Sequence, residues 1–296
     1  MRPIAEALRR ELTREGSTRA AGLYRVGLVI VLWAYYGEKL ALHAHEQEPA
    51  WLAVSVAFAV LTSLTFLGLW TRAATIGLAI TMTALHFYFG RHLGVWHFGK
   101  AVPSWEGALF LAFIPAGASF SIDRLRAVRR AQAAGRAPPP ERAPLWGTRL
   151  LALELTLIYL WAVYDKLEPA WLRGDELDAI WMLYYGSADS LAQAPWLHSW
   201  HAVVAWGSLA LELALGLGLW SRRLRPLLVP VGLLFHLVIY FTLPVATFSA
   251  MMALLYLHIV DPEAVHRCVD ALIGAPTGAP RSTRAAAQPT RAAGSS

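Results

Sequence analysis

Lysine is nearly missing from this chain: Lys39, Lys100 and Lys166 stand against 23 arginines. Cysteine occurs once, at Cys268, which excludes an internal disulfide. Charge is scarce, at 16% of residues, where a soluble domain carries about 25%. Hydrophobic residues make up 56% of the chain and the mean hydropathy is +0.43. The apolar residues fall into runs of roughly 20, the length that crosses a bilayer as a helix. These shortages exclude a soluble fold and predict an all-α integral membrane protein bathed by the lipid bilayer. Thirteen tryptophans fit that class, because the indole ring favours the membrane interface. The net charge of +6 does not mark a nucleic-acid partner, since most arginines lie in short segments between apolar runs. The sequence has no phosphate-binding glycine loop, no cysteine pair and no nucleophile elbow.

Eight segments are candidate spans: 20–42, 50–70, 73–90, 103–121, 147–167, 200–220, 226–243 and 245–260. The fourth is the weakest, with Trp105-Glu106 near its start and Pro115 inside. Residues 1–19 form a charged segment with Ile4, Leu8 and Leu12 at helical spacing, the pattern of a cytoplasmic surface helix. Residues 20–265 form the membrane domain, and residues 266–296 a cytoplasmic, mostly disordered tail rich in Ala, Pro, Thr, Ser and Gly. Arginines cluster in the N-terminal segment, after span two at Arg72, after span four from Arg124 to Arg142, and after span six at Arg222, Arg223 and Arg225. Their alternation places both termini in the cytoplasm of a cell (inner) membrane.

The chain contains an internal repeat. Glu48-Pro49-Ala50-Trp51-Leu52 recurs as Glu168-Pro169-Ala170-Trp171-Leu172, each soon after a lysine that closes an apolar run, Lys39 or Lys166. Gly68-Leu69-Trp70-Thr71-Arg72 matches Gly218-Leu219-Trp220-Ser221-Arg222, and the same spacing leads from there to His86 and to His236. Four spans per half give a parallel four-plus-four repeat. The second half carries about 30 extra residues between spans five and six; insertions in one copy of a repeat are where specific function tends to lie.

Several polar groups fall at the outer end of their spans: Lys166, Asp165, His86, His201 and Glu106, with His236 in the outer half of span seven. Together they outline a cavity opening outward. Glu154 and Glu212 lie deeper. An ionisable group inside a membrane segment is costly and by default a candidate site. The plainer readings are that a lysine at a helix end snorkels to the headgroups, that a lone histidine bonds a neighbouring helix, and that Glu212 is a hydrogen-bonded packing residue. His43-Ala44-His45 has spacing usable by a metal, but nothing completes a site.

The stretch Tyr159-Leu160-Trp161-Ala162-Val163-Tyr164-Asp165-Lys166-Leu167-Glu168-Pro169-Ala170-Trp171-Leu172-Arg173-Gly174 resembles the signature of the vitamin K-dependent gamma-carboxylase-like family, whose membrane module is the HTTM domain. Tyr159, Ala162, Lys166, Leu167, Trp171 and Gly174 meet the family pattern without a gap. Ser121-Ile122-Asp123, Phe235-His236 and Phe248-Ser249 extend it. The resemblance implies that Lys166 is a base acting on a quinol or another lipid-soluble molecule of the vitamin K type. His236 and Asp165 would tune it, Tyr159, Trp171, His86, His201 and Glu106 would line the site, and residues 173–199 would form a lid. Gly117-Ala118-Ser119-Phe120 stands where the carboxylase has a histidine, and Asp165 replaces a lysine, so glutamate carboxylation itself is not implied. The four-helix repeat also resembles DoxX-like and MauE-like proteins, which leaves open an accessory subunit bound to a membrane or periplasmic partner, and parallel repeats leave open a transporter.

Overall fold

A computed structural model describes residues 6, 13–38, 40, 49–93 and 102–274. Lys39, Lys100, His43, His45 and Glu48 lie outside the described residues, as do most of the N-terminal segment and the tail from residue 275. After a short strand β1 (Glu15–Ser17), the chain runs through α1 (Arg19–Leu32), which continues as one π-helical turn (Trp33–Gly37). Then follow α2 (Pro49–Leu67), α3 (Thr71–Leu93), α4 (Val102–Leu111), a 3-10 turn (Ala116–Ala118), α5 (Ile122–Ala133) and strand β2 (Arg142–Pro144). The second part comprises α6 (Trp146–Asp165), α7 (Pro169–Arg173), α8 (Asp175–Tyr184), α9 (Ala188–Ala192), α10 (Pro195–Gly218), α11 (Arg225–Thr242) and α12 (Ala246–Leu255). It closes with a 3-10 turn (Tyr256–His258) and α13 (Pro262–Leu272). The one sheet among the described residues is the antiparallel pair β1–β2.

Among the described residues, four helices are long and apolar enough to cross a membrane: α1 with its π-turn, α6, α10 and α11. A fifth is reached if α12 with its 3-10 turn counts together with α13, which leaves it at a bend of 107°. Bulky apolar side chains such as Leu157, Trp161, Leu234 and Phe241 stand exposed on α6 and α11, as expected where the solvent is lipid. The core is lined by Tyr24, Leu28, Leu78, Met82, Leu111, Leu151, Leu155 and Met251. Helix α13 continues the ordered chain past residue 266, where the sequence predicts the start of the tail.

The fourth expected span is helical only to Leu111. Pro115 lacks an N–H and its φ/ψ of −77°/51° is not helical. The following segment is irregular, and irregular backbone at membrane depth survives only if protein satisfies its polar groups. Arg25 does this. It is fully buried on α1, and its guanidinium donates to the carbonyls of Ala116 (3.2 Å), Phe120 (2.6 Å), Phe66 (2.6 Å) and Thr65. A planar fork with five donors suits this clustering of carbonyls from two segments. Beside it, Asp123 caps α3, accepting from the backbone N–H of Trp70 at 3.1 Å and from both the N–H and the hydroxyl of Thr71 at 2.7 Å. The Ser-x-Asp motif is thus a helix cap, with Ser121 doing the same for α5 by accepting from Arg124 N–H at 2.9 Å.

A second clasp joins chain segments far apart in sequence. Arg19 bonds Glu141 at 2.7 Å and Asp270 at 2.5 Å, and Ser17 Oγ lies 2.8 Å from His266 Nδ1.

Replacing Arg25 by Met is expected to lower stability by about 3 kcal/mol or more, because each buried acceptor left without a donor costs about 1–3 kcal/mol. Thermal unfolding in detergent reads this as a fall in apparent Tm, and an unchanged Tm would show that water replaces the guanidinium.

Candidate functional site

Helix α6 ends at Asp165, and the chain turns back on itself within a few residues. Glu168 is extended, Pro169 starts α7 with its preset φ, and Gly174 ends it at φ 90°. Gly174 is required twice over. Its left-handed φ disfavours other residues, and a Cβ there would sit 2.7 Å from the backbone nitrogen of Ala202 on α10. This tight turn lays Trp171 against α10, where its indole N–H donates to the Ala205 carbonyl at 3.4 Å. The ring then covers Lys166, whose Nζ lies 4.9 Å from the ring centroid. The arrangement is a cation–π contact in a setting largely shielded from water.

Under that ring Lys166 Nζ meets Glu212 Oε1 at 2.5 Å. Glu212 is buried, and its second oxygen has no hydrogen-bond partner. The carboxylate that pairs with Lys166 is therefore Glu212 of α10. Asp165, its sequence neighbour, is exposed at the end of α6. Helices α6 and α10 pack side by side but not end to end. Gly216 packs on Tyr159 and Leu160, and the Trp220 indole donates to Thr156 Oγ1 at 2.7 Å. The last turn of α10 therefore lies level with the middle of α6, and Glu212 is carried outward to the level of Lys166.

Tyr159 is two helical turns before Lys166 and shares its face. Its hydroxyl lies 2.8 Å from His236 Nε2 on α11 and 2.8 Å from the Tyr256 hydroxyl. His236 is buried, its Nδ1 has no partner, and it lies within electrostatic reach of Lys166. Gly232 makes room for this junction, since a Cβ there would fall 1.7 Å from the Tyr256 hydroxyl oxygen. Tyr159, Lys166, Trp171 and His236 are thus brought together, with Glu212 and Tyr256 completing the group.

The other candidates lie elsewhere. His201 joins the insert: its Nδ1 donates to Asp178 Oδ1 at 2.5 Å, while His198 Nδ1 donates to Oδ2 at 2.5 Å. Tyr185 ties the same insert to α11 by donating to the Thr242 carbonyl. Burial pushes the Asp178 carboxyl upward, but the bonds from His201 and His198 outweigh it and hold the group below its ordinary value. Asp175, Asp178 and His198 place ligand-type atoms within 4.8 Å of one another, yet Arg173 holds Asp175 at 2.7 Å and the histidines occupy both Asp178 oxygens. The trio is thus taken up by the Arg173–Asp175 ion pair and the hydrogen bonds to Asp178. His86 stacks on Trp105 with ring centroids 3.9 Å apart. Glu106, next to Trp105 on α4, interacts electrostatically with Glu154 rather than joining the lysine site.

Residues 106–263, more than half of the chain, match the family model of the HTTM domain. The chain belongs to the HTTM family. No curated protein and no solved structure gives a match. Within this HTTM domain the signature has a structural account. Gly174 permits the turn, Trp171 roofs the lysine, and Tyr159 reaches His236. The Lys166–Glu212 pairing and Tyr256 are not apparent in the sequence. A buried carboxylate needing a cation was a signal for the first, and nothing marked the second.

Two outcomes follow. Gly232→Ala is expected to destabilise the protein by about 1–3 kcal/mol through overpacking, and Tyr256→Phe, by removing the clashing oxygen, to recover part of that loss in the double variant; thermal denaturation of all three reads the coupling. The Asp178 bonds contribute stability above the ordinary carboxyl value of 3.8, and this is lost as pH falls through the lower folded value. Hydrogen-exchange protection of residues 175–200, taken relative to the intrinsic rate at each pH, should therefore fall on acidification below pH 3.8 in wild type, and already be low at neutral pH in Asp178→Asn.

Proposed function

We propose that this HTTM protein is an enzyme of the membrane–water interface in which Lys166 takes a proton from a lipid-soluble substrate carrying a weakly acidic hydroxyl, a quinol or a molecule of that type. The Lys166–Glu212 pair under Trp171 carries this reading. In a medium of low dielectric a lysine–carboxylate pair can hold its proton on either partner. A proton passed to Glu212 leaves a neutral amine, and that amine accepts the proton of the substrate hydroxyl. The oxyanion so formed lies against the new ammonium, which stabilises it. Tyr159, held by His236 and Tyr256, adds a second fixed donor near the same place. The exposed Trp161 and Tyr164 on α6 offer an apolar approach from the lipid.

We further propose that the chain crosses the membrane eight times as a parallel four-plus-four repeat, with both termini in the cytoplasm of a cell inner membrane. Helices cover part or most of each expected segment. The packing of α1 on α2 parallels that of α6 on α10, and α3 with α4 parallels α11 with α12. The Arg19 clasp and the arginine-rich α5 lie on the side that loop charge assigns to the cytoplasm.

A short-chain naphthoquinol added to purified protein in nanodiscs tests the activity. The quinolate absorbance is expected in wild type and to fall about a hundredfold or more in Lys166→Ala and Glu212→Gln, the scale of a lost general base. Equal quinolate formation in all three proteins would overturn the proposal.

A further inference from the structure

A separate set of buried polar atoms lies where α1, α4, α6, α12 and the Tyr256–His258 turn pack against one another. Both carboxyl oxygens of Glu154, the Tyr24 hydroxyl, Ser104 Oγ, Ser249 Oγ and His258 Nε2 are buried, and none has a hydrogen-bond partner. Glu154 is 3% exposed and Tyr24 0%. Tyr24, His258 and Glu154 are neighbours, while Ser104 lies one turn before Gly107 on α4 and Ser249 two residues before Met251 on α12. Tyr24 and His258 meet edge to face with centroids 4.9 Å apart, and Glu154 interacts electrostatically with both Tyr24 and Glu106. A Cβ on Gly107 would lie 2.3 Å from the Tyr24 hydroxyl and 2.5 Å from Met251 Cε, so the hydroxyl and the Met251 methyl pack directly on the glycine.

Native proteins leave a few buried polar atoms per hundred residues unpaired, and here six of them stand on the elements that meet at this one junction. Each would cost about 1–3 kcal/mol if left dry. Buried water that makes about three hydrogen bonds satisfies such groups. Glu154 adds a second demand. A carboxylate with no hydrogen-bonding donor in an apolar interior is strongly disfavoured, and the neutral acid removes the cost. We propose that Glu154, Tyr24, Ser104, Ser249 and His258 frame an internal hydrated site in which Glu154 carries a single proton exchangeable with water. Its residues are separate from the Lys166–Glu212 pair, and it stands whether or not Lys166 acts as a base.

Infrared spectra of the purified full-length protein in H2O and D2O test this. The carbonyl stretch of a neutral carboxyl group is expected in wild type, to be lost in Glu154→Gln, to shift in Tyr24→Phe, and to move to lower frequency on transfer to D2O. Glu106→Gln separates the neighbouring carboxyl. If Glu154→Gln does not fold, Glu154→Asp displaces the same band and makes the assignment. A spectrum unchanged by substitution at Glu154 means an ionised carboxylate and overturns the proposal. A Glu154 band that stays unshifted in D2O means a dry, sealed acid and overturns it as well.

Discussion

A charge surrounded by hydrocarbon has nowhere to be solvated except by the protein, and the most informative features of this chain follow from that constraint. Arg25 is a full charge with 0% exposure on the first membrane helix. It is tolerated because four backbone carbonyls converge on it where the chain breaks regular structure. Lys166 is tolerated because Glu212 and the Trp171 ring enclose it. One interaction repairs a gap in the fold, and the other leaves a charged pair with a free oxygen, Glu212 Oε2, facing the interior. The first is a structural use of buried charge, and the second is the pair on which the proposed function rests.

Glycines complete the same design by absence of bulk. Gly174 lets the short helix after Lys166 press onto α10, and Gly232 leaves space for the Tyr256 hydroxyl. Neither touches a proton. Both fix where Trp171 and Tyr159 stand, to within the distance a hydrogen bond tolerates.

The helices were largely legible in the sequence because apolar run length is dictated by bilayer thickness. The segments at 147–167, 200–220 and 226–243 coincide with α6, α10 and α11 to within a few residues. Span four was not legible as a single helix, because an arginine elsewhere in the chain can compensate irregular backbone around Pro115. The grouping of Tyr159, Lys166, Trp171 and His236 was visible through a motif and a repeat. The partnership with Glu212 was not. Spans aligned end to end put Lys166 at the surface and Glu212 deep, and only the outward slide of α10, set by Gly216 against Tyr159, brings them level. Stagger between helices depends on small–large packing that hydropathy does not record. For the same reason Tyr256, at the far end of its own helix, gave no sign of reaching Tyr159.

The clasp at Arg19 bears on how the chain is assembled as it leaves the ribosome. Arg19 precedes its partners Glu141 and Asp270 by 122 and 251 residues, and Ser17 precedes His266 by 249. Arg19 can therefore pair with Glu141 while α13 is still unmade, and with Asp270 only after it. The second ion pair closes only when α13 arrives. Helix α13 thus completes the clasp, and a chain halted before it leaves Ser17 and one side of Arg19 without their partners.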